Sequence, residues 1–194
     1  MIRRICVFCG SSEGNRPVYR EAAGAVGRLL ARRKIGLVYG GGRVGLMGGL
    51  ADAVLGAGGE AIGVIPQALM DKEVGHRGLT ELRVVASMHE RKALMMDLAD
   101  AFMALPGGFG TLEEFFEVLT WSQLGLHRKP CGLLNVDGYY GELLALVEQG
   151  VSDGFIHPVH RNLLLADADP ERLFDLLSSS KVPRLDKWPD RTQV

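Results

Sequence analysis

Short apolar runs alternate along this chain with longer stretches that place apolar residues at every third or fourth position. Six runs of five residues, at 5–9, 35–39, 61–65, 82–86, 101–105 and 132–136, are rich in Ile, Val, Leu and Ala and end at turn residues. That length and composition predict buried β-strands. The segments 17–34, 45–57, 88–99, 110–124 and 139–149 carry the helical spacing instead. A weaker strand at 163–166 leads through Asp169-Pro170, an N-cap and first-turn pair, into a helix at 171–177. Strict alternation of this kind predicts an α/β fold, Rossmann-like, with a doubly wound parallel sheet of about seven strands and helices on both faces. No repeat or linker interrupts the pattern, so 1–180 reads as a single domain, and 181–194, with Pro183, Pro189 and mixed charges, as a loose tail.

Ligands of such sheets gather at the carboxyl ends of the strands. That rule selects Gly10-Ser11-Ser12, the glycine loop 40–45, the loop 66–73 and the turn 106–114, with Arg91 and Lys92 on the same edge. The turn 106–114 reads Pro-Gly-Gly-Phe-Gly-Thr-Leu-Glu-Glu between a strand and a helix. Its glycines let a ligand approach the backbone, and the free N–H groups of the first helical turn favour an anion, a phosphate above all. A carboxylate in that turn is repelled by the phosphate and so addresses another part of the ligand, which points to chemistry beyond binding.

Helical phase selects the acid. At ~100° per residue Glu114 lies about 60° from Thr111 around the axis, Glu113 about 160° and Glu117 about 120°. Glu114 therefore shares the face of Thr111, whereas Glu113 reads as a first-turn glutamate complementing the helix dipole. The sequence Met88-His89-Glu90-Arg91-Lys92 sets two cations at a helix start, where the dipole disfavours them, and so asks for an anion. Arg91 offers a planar fork for Glu114 or a phosphate, and Lys92 a point charge; a surface pair bridged to Glu90 is the plainer reading. Gly40-x-Gly42-x-x-Gly45 matches the dinucleotide fingerprint in spacing, but it follows the second strand and lacks the acidic ribose reader one strand later. It reads as a phosphate or ribose contact, or as a tight turn that permits close helix packing.

Composition narrows the field. Glycine supplies 26 of 194 residues, about twice the usual ~7%, and the excess lies in turns. A net charge of −1 without a basic cluster argues against nucleic acid. The first apolar run is too short for a secretory segment or a membrane span, which leaves a cytoplasmic protein as the expectation. Cys6, Cys9 and Cys131 build neither a disulfide framework nor a zinc site, and Cys6 and Cys9, three apart in a strand, point to opposite faces. The five histidines show no metal spacing, and His157-Pro158-Val159-His160 reads as a loop and helix start. The region 121–126, with Phe115 and Phe116, reads as core or as a subunit contact.

With these motifs in view the chain resembles the LONELY GUY (LOG) family of cytokinin-activating nucleotide phosphoribohydrolases. The marks are Pro106-Gly107-Gly108-x-Gly110-Thr111-x-x-Glu114 and Met88-x-x-Arg91-Lys92-x-x-Met95, supported by Gly40-Gly41-Gly42 and Gly45-Leu46-Met47-Gly48. The likeness runs to about Leu177 and leaves the tail after Lys181 uncovered. It implies hydrolysis of the N-glycosidic bond of an adenosine 5′-monophosphate, ideally N6-prenylated, without metal or organic cofactor. By motif, Arg91 and Glu114 are the expected catalytic pair, and Gly107, Gly108, Gly110 and Thr111 the expected phosphate contacts. Glu73, Met88, Lys92, Glu113, Thr120, Gly41 and Gly42 complete the expected substrate-binding set. The resemblance also implies a homodimer.

The chemistry agrees with that expectation. Cleavage of C1′–N9 develops oxocarbenium charge, which a carboxylate beneath the sugar stabilises; Glu114 fits the part, with Arg91 expected to keep it ionised. Two rivals stand beside it. Lysine decarboxylase, a label attached to homologues with this glycine motif, needs a Schiff-base lysine that the motifs do not offer. A nucleotide sensor or carrier would use the same pocket without turnover.

Overall fold

The computed structural model describes residues 1–70, 72 and 74–182. In chain order the elements are β1 (Arg4–Phe8), α1 (Pro17–Arg32), β2 (Gly36–Tyr39), α2 (Gly45–Gly56), β3 (Ala61–Pro66), α3 (Gln67–Met70), β4 (Glu81–Val85) and α4 (Met88–Leu98). They continue with β5 (Ala101–Ala104), α5 (Phe109–Gln123), β6 (Cys131–Leu134), a 3-10 turn (Val136–Gly138), α6 (Gly141–Ser152), α7 (Pro158–Arg161), β7 (Leu164–Asp167) and α8 (Pro170–Ser179). All seven strands form one parallel sheet in the order β4-β3-β2-β1-β5-β6-β7, the architecture predicted.

Period-two alternation divides the core. Ile5, Val7, Leu37, Tyr39, Ala101 and Met103 pack on one face with Val26, Leu30, Leu50 and Val54 of α1 and α2 and Leu173 of α8. Cys6, Phe8, Val38, Val64, Phe102 and Ala104 pack on the other with Met95, Phe115, Val118 and Val147 of α4, α5 and α6. The central strands are buried on both faces, whereas the edge strand β4 leaves Glu81 and Val84 exposed, as suits an edge that carries its own charges. Cys6 and Cys9 fall in opposite clusters, and all three cysteines are free and buried.

Two boundaries differ from the sequence reading. The sixth strand stops at Leu134 because Asp137 and Gly138 take left-handed φ values of 50° and 76°, and α6 starts only at Gly141. The loop after β3 opens with the single turn α3. The helix start read at 157–160 is present as α7, capped by the ring nitrogen of His157. The tail expected at 181–194 lies, beyond Val182, outside the described residues.

The strand order fixes where a ligand can enter. From β1 the chain winds outward through β2, β3 and β4, then returns to β5 on the other side of β1. The carboxyl ends of β1 and β5 therefore flank the switch point of the sheet. There Leu105 N–H donates to Phe8 O at 2.9 Å and Gly10 N–H to Pro106 O at 3.1 Å, which ties the first glycine segment to the Pro106 turn.

Candidate active site

Gly108 is the N-cap of α5, and no side chain caps this helix. By contrast, Ser87 Oγ caps α4 by accepting from Glu90 N–H, and Asp169 caps α8. The donors of the first turn of α5 are thus left for a ligand. A Cβ at Gly107 would overlap Thr111 Oγ1 and lie 2.9 Å from Gly10 N, so the turn packs this tightly only with glycine there. Two consecutive tyrosines hold its carbonyls: Tyr139 Oη donates to Gly107 O at 2.7 Å, and Tyr140 Oη to Leu105 O at 2.6 Å.

A cavity of about 440 Å³ opens onto this turn. Its polar wall brings together Gly42, Gly108, Gly110, Thr111, Arg91 and Glu114, with Ser11 from the segment after β1. Its apolar wall is Val44, Met47, Ile65, Leu69 and Val74, and Phe109 stands at the rim, 93% exposed. A second cavity, about 300 Å³, lies beside it, sharing Gly10, Ser11 and Gly108 and adding Gly107, Tyr19 and Tyr139.

The cations at the start of α4 find their anions on α5. Arg91 Nη1 lies 3.4 Å from Glu114 Oε1, and both residues are buried. Nη1 also contacts Met88 Sδ at 3.7 Å, and Nη2 donates to Gly40 O at 3.5 Å. Arg91 Nε is buried without a partner. Burial pushes the Glu114 carboxyl above the usual carboxylate range, and the opposing pull of Arg91 only partly offsets it. Arg91 favours the ionised form, as expected, and desolvation pulls the other way more strongly.

Lys92 is the partner of Glu113 and Glu117, its Nζ 2.5 and 2.9 Å from their Oε1 atoms. Glu90 instead accepts from Ala86 N–H at 2.9 Å, so the surface pair with Glu90 does not form. Lys92, Glu113 and the exposed Thr120 stand outside the cavity wall. Gly41 lies behind the wall with φ 74°, its carbonyl accepting from His76 N–H at 2.9 Å. Glu73 lies outside the described residues. Sequence reasoning named no residue of the apolar wall as a ligand contact. Met47 and Val74 are ordinary apolar residues in their own segments, and only the packing of Val74 beside the loop 40–45 makes them neighbours. Val74 O accepts there from Arg43 N–H at 2.8 Å.

The chain is similar over most of its length to proteins of known name. The chain is 59% identical over 171 residues to a probable cytokinin riboside 5′-monophosphate phosphoribohydrolase of Oryza sativa subsp. japonica, covering 88% of this chain and 75% of that protein. It is 54% identical over 171 residues to a cytokinin riboside 5′-monophosphate phosphoribohydrolase of Arabidopsis thaliana, covering 88% and 79%. The chain belongs to the LOG family. A family profile described as "Possible lysine decarboxylase" also matches residues 47–177 of this LOG protein. The fold is shared more widely: a molybdenum cofactor binding protein from Rippkaea orientalis superposes with a TM-score of 0.70 at 24% identity, covering 92% of this chain and 97% of that one.

The decarboxylase description implies pyridoxal phosphate, which needs a lysine in the cavity for its Schiff base. Among the described residues the cavity wall holds no lysine, and Lys92 is tied to two carboxylates outside it. The residues of this LOG protein do not fit that cofactor.

Proposed function

We propose that this protein hydrolyses the N-glycosidic bond of an adenosine 5′-monophosphate carrying an N6-prenyl group, giving the free base and ribose 5-phosphate. Its LOG relatives are named for this class of reaction. The observation that carries the reading is the buried Arg91–Glu114 pair on the wall of a cavity whose other side is the uncapped start of α5.

In this reading the first-turn N–H groups of α5 and Thr111 hold the 5′-phosphate, which orients the ribose from a group that does not react. Glu114 stabilises positive charge as the C1′–N9 bond breaks and orients the attacking water. The water oxygen bonds to C1′, and its two protons end on the ribose hydroxyl and on the departing base. Arg91 fixes the direction of the carboxylate. Val44, Met47, Ile65, Leu69 and Val74 offer an apolar surface to the base and its prenyl group.

Lys92, Glu113, Met88, Gly41, Thr120 and Glu73 belong to the proposed ligand set by family motif. Homodimer formation is part of the same reading, supported by the exposed Met88, Leu124 and Leu126 at α4 and just past α5. No helix among the described residues is long and apolar enough to cross a membrane. The cytoplasmic assignment draws support from three unpaired cysteines.

The test is incubation with AMP and with N6-isopentenyl-AMP, resolving base and ribose 5-phosphate by chromatography, with Glu114→Ala alongside. The expected result is base release from the prenylated nucleotide, abolished in the variant. Binding without release would overturn the hydrolase reading.

A further inference from the structure

The glycines of the loop 40–45 are glycines for different reasons. Gly41 and Gly45 have left-handed φ values of 74° and 62°. A Cβ at Gly42 would lie 2.7 Å from Met47 Cε. Gly40, like Gly42 and unlike Gly41 and Gly45, has a φ outside the left-handed region, so its backbone would accept a side chain. What forbids one is Arg91. A Cβ at residue 40 would overlap Arg91 Nη2 and lie 3.1 Å from Cζ and 3.4 Å from Met47 Sδ.

We infer that Gly40 is a positioning residue for the reaction: the space left by its missing side chain is the seat of the Arg91 guanidinium, which holds that group against Glu114. The seat is closed on its other sides by Met88 Sδ, the Gly40 carbonyl and Glu114 Oε1, at 3.7, 3.5 and 3.4 Å. A methyl group at residue 40 leaves the guanidinium no free direction inside the wall, so it must swing into the cavity and away from the carboxylate. The side chain is flexible, which makes that swing cheap for folding. It is expensive for catalysis, because a displacement of about 1 Å near reacting groups lowers rates by roughly 10²-fold. The inference rests on the reading of Arg91 and Glu114 as the catalytic pair.

The experiment compares wild type, Gly40→Ala and, as a control in open space on α2, Gly49→Ala, where a Cβ meets nothing within 4 Å. Base release from N6-isopentenyl-AMP is measured as kcat and KM. In parallel the Glu114 carboxyl is titrated by carbon NMR in wild type, Gly40→Ala, Arg91→Met and the double variant. Arg91, Glu113, Lys92 and Glu117 all act on this carboxyl, which in turn pushes up the buried thiols of Cys6 and Cys9, and of these groups only Arg91 meets the added methyl. In Gly40→Ala, kcat is expected to fall at least tenfold with KM within about threefold, while Gly49→Ala matches wild type. The Glu114 midpoint is expected to rise in Gly40→Ala and to show no further rise when Gly40→Ala is added to Arg91→Met. A single variant that fails to fold beside a double variant that folds also supports the seat. Unchanged kcat, or an equal shift of the midpoint in both backgrounds, overturns it. Absence of base release in wild type would refute the hydrolase reading alone, since the titration tests the seat without turnover.

Discussion

The guanidinium of Arg91 meets the carboxylate of Glu114 at 3.4 Å, with the two side chains only 10% and 11% exposed. Each residue sits near the start of its own helix, on α4 and α5. The pair is buried deeply enough that removing one member leaves an uncompensated charge, a change that costs several kcal/mol in typical proteins.

The pH dependence of turnover follows from this pair. Burial holds the Glu114 carboxyl above its ordinary value despite Arg91, so the acid limb of kcat is expected above ~4.3. Arg91→Met removes the cation that lowers it and is expected to move the limb further up, measured on the residual activity. A limb that stays in place would show that Arg91 does not act on the titrating group.

Stability should respond to the same substitution in a pH-dependent way. Because the folded-state pKa of Glu114 is raised, the stability it contributes is present below its unfolded pKa and lost as pH rises through the folded value. Arg91→Met is therefore expected to cost about 3–5 kcal/mol at pH 8 and less at pH 5, closer to the neutral form of the raised carboxyl. Urea denaturation at the two pH values checks this; equal losses would contradict it.

Glu114→Gln keeps the shape of the site and removes its charge. Base release is expected to fall by about 10²–10³-fold, the range seen when a single charge-stabilising group is lost, with AMP affinity by calorimetry within a few fold. Turnover equal to wild type would remove Glu114 from the mechanism.

Lys92 carries two carboxylates, and they are not equivalent to it. Lys92→Met leaves Glu113 and Glu117 facing each other without a cation and is expected to lower the thermal midpoint clearly. Glu113→Gln leaves Glu117 in place, and Glu113 is half exposed, so its cost is expected to stay below ~1 kcal/mol. Calorimetric scans of both variants check the order.

The two tyrosines that hold the glycine turn separate stability from binding. Tyr140→Phe strands the buried Leu105 carbonyl and is expected to cost about 1–3 kcal/mol. Tyr139 is exposed, so Tyr139→Phe is expected to change stability little but to raise KM for the nucleotide by loosening Gly107. Denaturation and steady-state kinetics on both variants distinguish the roles, and a reversed order would argue against them.

Much of the site was legible because it is local. The phase of Glu114 relative to Thr111 needs only the helical repeat, and the structure buries both while leaving Glu113 exposed. The unfavourable placement of Arg91 and Lys92 at a helix start asked for anions and offered Glu114 as one candidate for Arg91, but it did not name Glu113 and Glu117 for Lys92. The answer lay on α5, 21 to 25 residues away for Lys92, and depends on two helices packing side by side on one face of the sheet.

By itself the sequence determined the alternation of strands and helices, the turn that offers backbone donors to an anion, and the acid that faces it. These follow from periods of two and 3.6 residues and from glycine chemistry, which act within one segment. Tertiary structure decided the strand order that puts β5 beside β1, the Arg91–Glu114 pair, the seat at Gly40 lying 51 residues before its occupant, and the balance that raises the Glu114 carboxyl. Those depend on which segments become neighbours and on how much water the packing expels, and neither quantity is carried by the spacing of residues along the chain.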